Sequence, residues 1–427
     1  MRNVDSNKIP ASHPPNFPIS RPAALLWDES FLWGVMAYKA LTSAGLPCDL
    51  IRSEDVRRGK LSDYSLLFVP GGWASNKVKA LGNDGIEEIK RFVHDGGSYL
   101  GFCGGAGLAT MDGIGLVPIK RRPTKERVPS FSGRIELAVS SHDLWQSIAE
   151  PVFHAWWPSQ FVIDGPVSVL ATYAGALPES FSSDVNVGDA AAAGSWPELE
   201  RLYQINLDPK RLFGEPAVIE GRFGEGKVLL SLVHFDTPGD GNGAKALVNV
   251  WRYLGCDRQT ADAAMSERPG RQGRGASCHP LLPELETAVG GLIDLGLRNF
   301  LWFRRNSMLL QWRRGVRGLE YCTLSVMVSE LAELLQMHAR MREIPDLGRS
   351  LERIRDLLLP FAAKARRLLV RERFAMQNSH ITYERCDDPE IQMIREELFS
   401  RSKSHGGLFK ELIDEVDGLL YSALTRL

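Results

Sequence analysis

The sequence predicts an α/β protein with a flavodoxin-like, mostly parallel sheet and a nucleophile elbow, followed by a C-terminal α-helical domain. From Ala23 onward, short apolar runs alternate with stretches of helical periodicity, which is typical of parallel strands joined by helices. One of these runs, Ser98–Phe102, leads directly into Cys103 and a glycine-rich helix start. Beyond Pro283 long helical patterns dominate, and they favour a helical bundle.

The elements of the α/β part alternate along the chain as a doubly wound sheet requires. Strands are predicted at Ala23–Trp27, from Cys48, at Tyr64–Gly72, at Ser98–Phe102 and at Val228–Val233. Helices are predicted at Phe31–Gly45, Asp84–Asp95 and Asn242–Gly255. Ligands of such sheets bind at the carboxyl ends of the strands. The pair Gly71 and Gly72 and the following Cys103 are therefore expected at the binding edge.

The stretch from Leu116 to Ser231 is richer in strands and loops, and it contains an aromatic cluster, FHAWWPSQF. Trp156 and Trp157 suit the wall of a pocket for a ring or an amide, although packing of both rings under a loop explains them equally well. Trp73, directly after the second glycine of VPGGW, is a weaker candidate of the same kind.

Composition divides the chain into four parts. Residues 1–21 are polar and proline-rich and are predicted to form a flexible arm. Residues 22–256 form the α/β domain, residues 257–280 a polar linker and residues 281–427 the helical domain. The basic, aromatic segment Arg298–Gly318 is interpreted as a bundle helix with solvated arginines, and contact with a membrane surface or an acidic partner is the alternative.

Charge and cysteine usage limit the class of protein. The chain has 427 residues and a formal net charge of −1, which gives no nucleic-acid signature. Its six cysteines form no C-x-x-C pair, so neither a zinc site nor a disulfide framework is indicated, and no cofactor is predicted. The N-terminus lacks the apolar stretch of a signal peptide, and no apolar run is long enough to cross a membrane. We therefore expect a cytoplasmic protein with reduced thiols and no transmembrane segment.

The chemistry of the chain is predicted to centre on Cys103. A strained turn between a strand and a helix needs glycines around it, because a Cβ atom there would collide with neighbouring backbone. The turn would present the thiol at the end of its strand, with the N–H groups of Gly104 and Gly105 aimed at the space above it. Such a helix N-terminus favours negative charge and stabilises an oxyanion. The alternative is a buried structural cysteine beside a tight turn.

The segment HFDTPGD supplies the partners that a nucleophilic thiol requires. His234 and Asp236 follow a strand, and alternate residues of an extended segment point the same way. The imidazole would take the thiol proton, and the carboxylate would orient the ring. The alternative is a surface histidine at a strand end, with Asp236 beginning a turn.

Three segments in this order, LLFVPGG, YLGFCGGAG and VLLSLVHFD, resemble the class I glutamine amidotransferase-like superfamily. Within it, the pattern is most similar to the N-terminal domain of biotin–protein ligases. The resemblance implies that Cys103 is the nucleophile, His234 the base and Asp236 the residue that orients it. It also implies that Gly72 and Gly104 donate to the oxyanion hole.

The resemblance covers roughly Ala23–Gly255, and the chain departs from the family in two places. Asp236 stands where the family has a glutamate, which is one methylene longer, and the elbow reads GFCGG. No synthetase or transferase domain that could receive ammonia is recognisable. The linker segment GRQGRG, residues 270–275, resembles the loop that holds biotinyl-adenylate, but no ligase-like strand follows it. A complete biotin ligase is therefore not expected.

The predicted function is thiol-dependent hydrolysis or acyl transfer on a small amide. A non-catalytic small-molecule-binding module and a scaffold with a vestigial pocket are the alternatives. Dinucleotide binding by the glycines after Cys103 is disfavoured, because no acidic residue follows at the required distance. Any protein partner is expected to contact the helical domain.

Overall fold

The structure is a computed structural model that describes residues 22–255 and 279–427, apart from residues 339, 340, 342, 379, 380, 383–385, 402 and 403. The predicted arm at residues 1–21 lies outside the described residues. So does the predicted linker up to residue 278, including the GRQGRG segment.

The strands are β1 Ala23–Leu26, β2 Cys48–Ile51, β3 Leu66–Val69, β4 Ser98–Phe102, β5 Ile119–Arg121, β6 Phe131–Val139, β7 Val152–Trp156, β8 Phe161–Ile163, β9 Ser168–Ala176, β10 Phe181–Ser182, β11 Val185–Asn186, β12 Pro216–Phe223, β13 Gly226–Ser231, β14 Trp302–Arg304 and β15 Leu310–Trp312. The helices are α1 Leu32–Ser43, α2 Ser53–Arg57, α3 Ala74–His94, α4 Gly104–Ala109, α5 Val187–Ala193, α6 Trp196–Tyr203, α7 Gly241–Tyr253, α8 Leu282–Arg298, α9 Gly318–Met337, α10 Leu347–Asn378, α11 Pro389–Phe399 and α12 Gly407–Leu424.

The centre of the large sheet is parallel and is flanked by helices, which confirms the predicted fold class. Its strand order is β2-β1-β3-β4-β13, and every neighbouring pair in this part is parallel. This is the flavodoxin-like order, in which ligands bind beyond the carboxyl ends of the strands. All residues of β1, β3 and β4 are buried, because helices cover both faces of a parallel sheet.

The sheet continues from β13 as an antiparallel extension built from the strand-rich middle of the chain. Strands β12, β9, β6, β10 and β11 follow in this order, and β7 pairs with β6. One further bridge, between His154 on β7 and His234 after β13, folds the extension back over the parallel centre. The aromatic segment at the end of β7 therefore lies beside the carboxyl ends of β4 and β13.

The C-terminal helices share a hydrophobic core with the turn after β1 and with helix α1. Buried side chains of α1, among them Leu32 and Met36, pack in one cluster with α8, α9, α10, α11 and α12, and Trp156 belongs to the same cluster. A salt bridge of 2.6 Å between Lys39 and Glu330 adds to the contact between α1 and α9. The helices therefore cover the edge of the sheet at which the site lies. Among the described residues, no helix is long and apolar enough to cross a membrane.

Two segments differ from the prediction. The third helix begins at Ala74, ten residues earlier than predicted, and is interrupted at Gly82, whose φ is 63°. Arg298–Gly318 contains the antiparallel hairpin of β14 and β15, so the prediction of one bundle helix was wrong. The side chain of Asn306 accepts from the N–H groups of two following residues at 2.8 Å. An asparagine turn of this kind competes with the helix and starts a hairpin.

Candidate active site

Cys103 lies at a strained turn between β4 and α4. Its φ of 46° and ψ of −101° fall outside the regions that non-glycine residues commonly occupy, a conformation that costs about 1–3 kcal/mol. The backbone holds the turn from both sides: the Cys103 N–H donates to the Ser231 carbonyl at 2.8 Å, and its carbonyl accepts from Gly107 N–H at 2.9 Å. The residue is half-buried.

Glycines make the elbow possible because two loops meet without room for side chains. A Cβ atom on Gly104 would lie 1.8 Å from the Gly72 carbonyl oxygen, and one on Gly105 would lie 1.9 Å from the Val69 carbonyl oxygen. Gly72 itself has a φ of 110°. Among the backbone hydrogen bonds of the described residues, none uses the N–H of Gly72 or Gly104 as its donor. The two loops therefore touch directly beside Cys103.

His234 and Asp236 form a fully buried pair after β13. The Nδ1 atom of His234 lies 2.9 Å from Oδ1 of Asp236, and neither side chain is exposed. The His234 N–H donates to the His154 carbonyl at 2.7 Å, which fixes the backbone of this segment. The aspartate therefore reaches the ring although it is one methylene shorter than the glutamate of the related family.

The charge state of His234 depends on its two neighbours. Burial alone lowers the pKa of His234, but the Asp236 carboxylate and the Cys103 sulfur outweigh it and raise the pKa to about 9. The Nε2 atom is buried. Since Nδ1 faces the carboxylate, Nε2 is the ring nitrogen left for the Cys103 sulfur, which also interacts with the ring.

Aromatic rings from both parts of the chain enclose this pair. Trp33 of α1 lies over His234, with 4.8 Å between the ring centres. The Trp156 carbonyl is 3.9 Å from the Cys103 sulfur, and its indole N–H donates to the Thr237 hydroxyl at 3.0 Å. Trp157 stacks on Trp312 of β15 at 4.7 Å. Of the three predicted tryptophans, Trp156 thus contacts the thiol through its carbonyl, and Trp157 lies beside Trp33 with 6.3 Å between the ring centres.

Trp73 is placed differently from the other two tryptophans. It precedes α3 directly after Gly72, and 37 % of its surface is exposed. It is close to the glycine loop in the chain, but no ring stacking involving it is seen among the described residues.

Sequence reasoning missed two elements of the site. Trp33 sits on a helix that is distant in sequence, and nothing in its local pattern points to His234. His154 stacks on Trp156 with 5.4 Å between the ring centres, and its Nδ1 lies 2.7 Å from Oδ2 of Asp240. The alternation of His154 and Trp156 on one face of β7 was the signal that could have revealed this second pair.

A cavity of about 730 Å³ lies between α1, α7, α9 and the loop after β13. Asp236 and Thr237 line this cavity, whereas Cys103 and His234 do not. The cavity therefore meets the His234–Asp236 pair from the aspartate side. Cys322 lines it from α9. Burial raises the pKa of the Cys322 thiol to about 12, and this thiol donates to the Met308 carbonyl at 3.0 Å. A thiol in these surroundings is inert.

Comparisons with known proteins agree with the resemblance seen in the sequence. Residues 61–112 match the family model described as the N-terminal part of biotin-protein ligase, and this segment carries both Gly72 and Cys103. Over 105 residues, 22 % of the chain, the sequence is 27 % identical to phosphoribosylformylglycinamidine synthase subunit PurQ of Methanococcus maripaludis. The match spans 37 % of the length of that relative. The predicted resemblance to the amidotransferase-like superfamily is thereby confirmed.

Solved structures similar to this chain include PurLQS from Thermotoga maritima, at 17 % identity and a TM-score of 0.36, with 55 % of this chain and 99 % of that chain covered. A GMP synthase subunit from Thermoplasma acidophilum, itself assigned provisionally, has 12 % identity and a TM-score of 0.35, with 58 % and 100 % covered. A β-galactosidase from Bacillus circulans sp. alkalophilus has 15 % identity and a TM-score of 0.34, with 55 % and 31 % covered.

Proposed function

We propose that this chain catalyses thiol-dependent hydrolysis or acyl transfer on a small amide, with Cys103 as the nucleophile. The observation that carries the proposal is the fully buried His234–Asp236 pair beside a half-buried cysteine at a strained turn. Strain of this kind is retained where the surrounding structure over-determines it, and such positions cluster at active sites. The match of residues 61–112 supports the class of domain and leaves the reaction to be tested.

The proposed reaction begins from an ion pair, in which Nε2 of His234 already holds the thiol proton, and the Cys103 thiolate attacks the amide carbonyl carbon. The carbonyl oxygen becomes an oxyanion, which accepts hydrogen bonds from the N–H groups of Gly72 and Gly104. Collapse of the intermediate breaks the C–N bond, and the amine leaves with the proton from His234. Water or an acceptor amine then attacks the thioester carbon, and its proton passes to His234. The C–S bond breaks, the acyl product leaves, and the thiolate–imidazolium pair is restored. Asp236 keeps the ring oriented throughout.

The proposal includes no second reaction on this chain that would consume the released ammonia. The regular elements described beyond residue 279 are helices and one hairpin, and no synthetase site is assigned to them. We propose the cytoplasm as the compartment, since Cys103, Cys322 and Cys386 are free thiols and a reducing environment preserves them.

Release of ammonia tests the proposal directly. The purified protein is incubated with a panel of primary amides, namely glutamine, asparagine, succinamate, nicotinamide and benzamide, and ammonia is measured. Wild-type protein and a Cys48→Ala control should release ammonia from at least one of them, and Cys103→Ala should release none while keeping its melting temperature. Equal release by Cys103→Ala, or none by the wild type on any amide, would contradict the proposal.

A second candidate is a non-catalytic small-molecule-binding protein, which the cavity beside Asp236 favours. Its volume of about 730 Å³ lies within the range of small-molecule sites. A fragment library screened by thermal shift separates the two functions. Stabilisation that persists in Cys103→Ala and disappears in Ser325→Trp, which fills the cavity from α9, would favour binding over catalysis.

A further inference from the structure

The segment between β1 and α1, residues 27–31, has a strained backbone like that of the elbow. Phe31 has a φ of 46° and a ψ of −123°, close to the values of Cys103, and Glu29 has a φ of 55°. Backbone of this kind persists only where the surrounding contacts over-determine it, and it clusters at functional sites. The contacts that hold this segment, the β1–α1 turn, therefore bear on whatever the turn touches.

The β1–α1 turn lies against the glycine loop, residues 71 and 72, that precedes α3. A Cβ atom on Gly72 would lie 2.4 Å from the Glu29 carbonyl oxygen, and one on Gly71 would lie 2.8 Å from Cγ of Trp33, two residues beyond the turn. The same Trp33 ring lies over His234. The turn and the start of α1 therefore contact both the glycine loop and the proposed base, so a shift of the turn would displace both.

Lys77 of α3 joins the β1–α1 turn to the glycine loop. Its side chain is fully buried, and Nζ donates to the Ser30 hydroxyl at 2.5 Å and to the Asp28 carbonyl at 3.3 Å. Its Cε lies 3.4 Å from the place of a Cβ on Gly72. A buried ammonium group is costly to desolvate unless oxygen atoms accept its hydrogen bonds. Both of these acceptors belong to the turn, so Lys77 fixes the turn at the glycine loop.

Helix α12 of the C-terminal region holds the same turn through two ionic contacts. Nζ of Lys410 lies 3.1 Å from Oε1 of Glu29. Arg52 bridges the turn and the helix, because its Nη1 donates to Oδ1 of Asp28 at 2.8 Å and its Nη2 donates to Oδ2 of Asp417 at 3.1 Å. All five side chains are at most 30 % exposed, so solvent screens these contacts less than it screens surface ion pairs.

We propose that α12 and Lys77, through their contacts with the β1–α1 turn, position the glycine loop for acyl chemistry at Cys103. Lys77 and Lys410 are positioning residues, because they act through the turn and not on the reacting atoms. This inference rests on the proposed function, in which the N–H of Gly72 donates to the oxyanion. Such a donor is effective only when it is fixed in place before the reaction, and a small displacement lowers the rate. The C-terminal helices thereby complete the site.

Two reagents that modify the same thiol by different routes test the inference. With p-nitrophenyl acetate the Cys103 sulfur attacks the carbonyl carbon, an oxyanion forms, and its collapse breaks the C–O bond and expels p-nitrophenolate. With iodoacetamide the sulfur bonds to the methylene carbon while iodide leaves, and no oxyanion forms. Both reactions use the thiolate, so a change in the pKa of the thiol alters both rates and cancels in their ratio. Initial rates at Cys103 are measured by peptide mass spectrometry, and the acetylation-to-alkylation ratio reports on the oxyanion donors.

Substitutions at the two lysines should lower this ratio and leave the iodoacetamide rate within about twofold of the wild type. Lys77→Met should lower the ratio about tenfold, a part of the hundredfold or more that the loss of one oxyanion donor costs. Lys410→Met should lower it about threefold, because it breaks one part-buried ion pair and leaves Lys77 in place. Lys410 is partly exposed, so this variant keeps the test available if Lys77→Met does not fold.

Two further variants show whether the contact with the turn is responsible. Lys410→Arg keeps the cation that faces Glu29, and its ratio should stay within about twofold of the wild type. Lys364→Met is the matched control, since Lys364 of α10 pairs with Glu397 of α11 and not with the turn, and it should leave the ratio unchanged.

The outcomes separate this inference from the proposed function. If Lys77→Met and Lys410→Met keep the wild-type ratio while Cys103 reacts faster than Cys322, the positioning role is wrong and the reactive thiol stands. If both variants lower the two rates equally, the turn serves the thiol or the fold and not the glycine loop, which also overturns the inference. If wild-type Cys103 reacts with neither reagent faster than Cys322, the proposed function itself fails, and this inference fails with it.

Discussion

The elbow at Cys103 and the middle of α9 at Cys322 place the same side chain in opposite surroundings. Cys103 follows a strand at a positive φ, is half-buried, and lies beside glycine N–H groups and a buried His–Asp pair. Cys322 lies inside a helix, fully buried, with its thiol donating to a carbonyl and its pKa raised by burial to about 12. Thiol reactivity follows backbone geometry and neighbouring charge and not the residue type alone, so we expect Cys103 and not Cys322 to react.

The largest effect is expected from an activated ester, which acylates any competent thiol. On treatment with p-nitrophenyl acetate, Cys103 should be acetylated at least about ten-thousandfold faster than Cys322, since the rate gains from a base and from oxyanion donors multiply. Peptide mapping of acetyl groups against time gives both rates. Similar rates at the two cysteines would remove the distinction between the two regions.

The next effect isolates the role of the carboxylate. In Asp236→Asn the amide can hold the ring in the wrong tautomer, and turnover or acetylation at Cys103 should fall by about two to four orders of magnitude. Asp240→Asn is the matched control, because Asp240 pairs with His154 and not with His234. A loss in Asp240→Asn as large as that in Asp236→Asn would mean that the wrong His–Asp pair has been assigned to the thiol.

A smaller effect concerns the close approach of the two glycine loops. Gly104→Ala places a methyl group where the Gly72 carbonyl stands, at 1.8 Å, so the backbone must move, and the free energy of unfolding should fall by about 1–3 kcal/mol. At Gly241 a Cβ would meet nothing within 4 Å, so Gly241→Ala should be nearly neutral. Urea unfolding of both variants gives the comparison, and equal stabilities would contradict the packing at the elbow.

The smallest effect is on the pH dependence of stability. The pKa of His234 is raised to about 9 in the folded protein, from an ordinary value of about 6.5. The native state therefore binds more protons between these values. The stabilisation is fully present below about pH 6.5 and is lost as the pH rises through 9. Lys77 is buried, and burial lowers its pKa to about 7. Its contribution therefore makes the free energy of unfolding rise between about pH 7 and 10, opposite to the contribution of His234.

Substitutions separate the contributions of His234 and Lys77 to the pH dependence of the unfolding free energy. The difference in unfolding free energy between wild type and His234→Gln should shrink as the pH rises from about 6.5 to 9, while Lys77→Met should remove the opposing slope. Both are measured by urea unfolding at a series of pH values. If the difference in unfolding free energy between wild type and His234→Gln instead grows over this pH range, the His234 ring is not held as a cation.

The sequence was sufficient for the parallel sheet and the elbow because both are encoded locally. An apolar run, a cysteine and glycines are adjacent in the chain, and His234 and Asp236 are two residues apart on one extended segment. The positions that sequence reasoning missed depend on contacts between distant segments. Trp33 reaches His234 across about two hundred residues of chain, and His154 contacts Asp240 from β7, a strand that no periodicity connects to it.

The helical region was predicted in outline but not in its relation to the site. Its amphipathic periodicity shows only that each helix buries one face, and nothing local shows that α1 and Trp156 complete the same core. The hairpin at Trp302–Trp312 was missed because a short basic, aromatic segment fits a helix as well as two strands. Tertiary packing decided between them, with the Trp302 indole N–H donating to the Ile293 carbonyl at 3.0 Å.

The most direct test of the account is iodoacetamide labelling of the native protein over a pH series, measured at each cysteine by mass spectrometry. We predict that Cys103 labels far faster than Cys48 and Cys322 below about pH 7, where ordinary thiols are protonated, and that His234→Ala removes this advantage. If Cys103 instead labels no faster than Cys48 at any pH, or if His234→Ala leaves its rate unchanged, the proposed catalytic thiol is wrong.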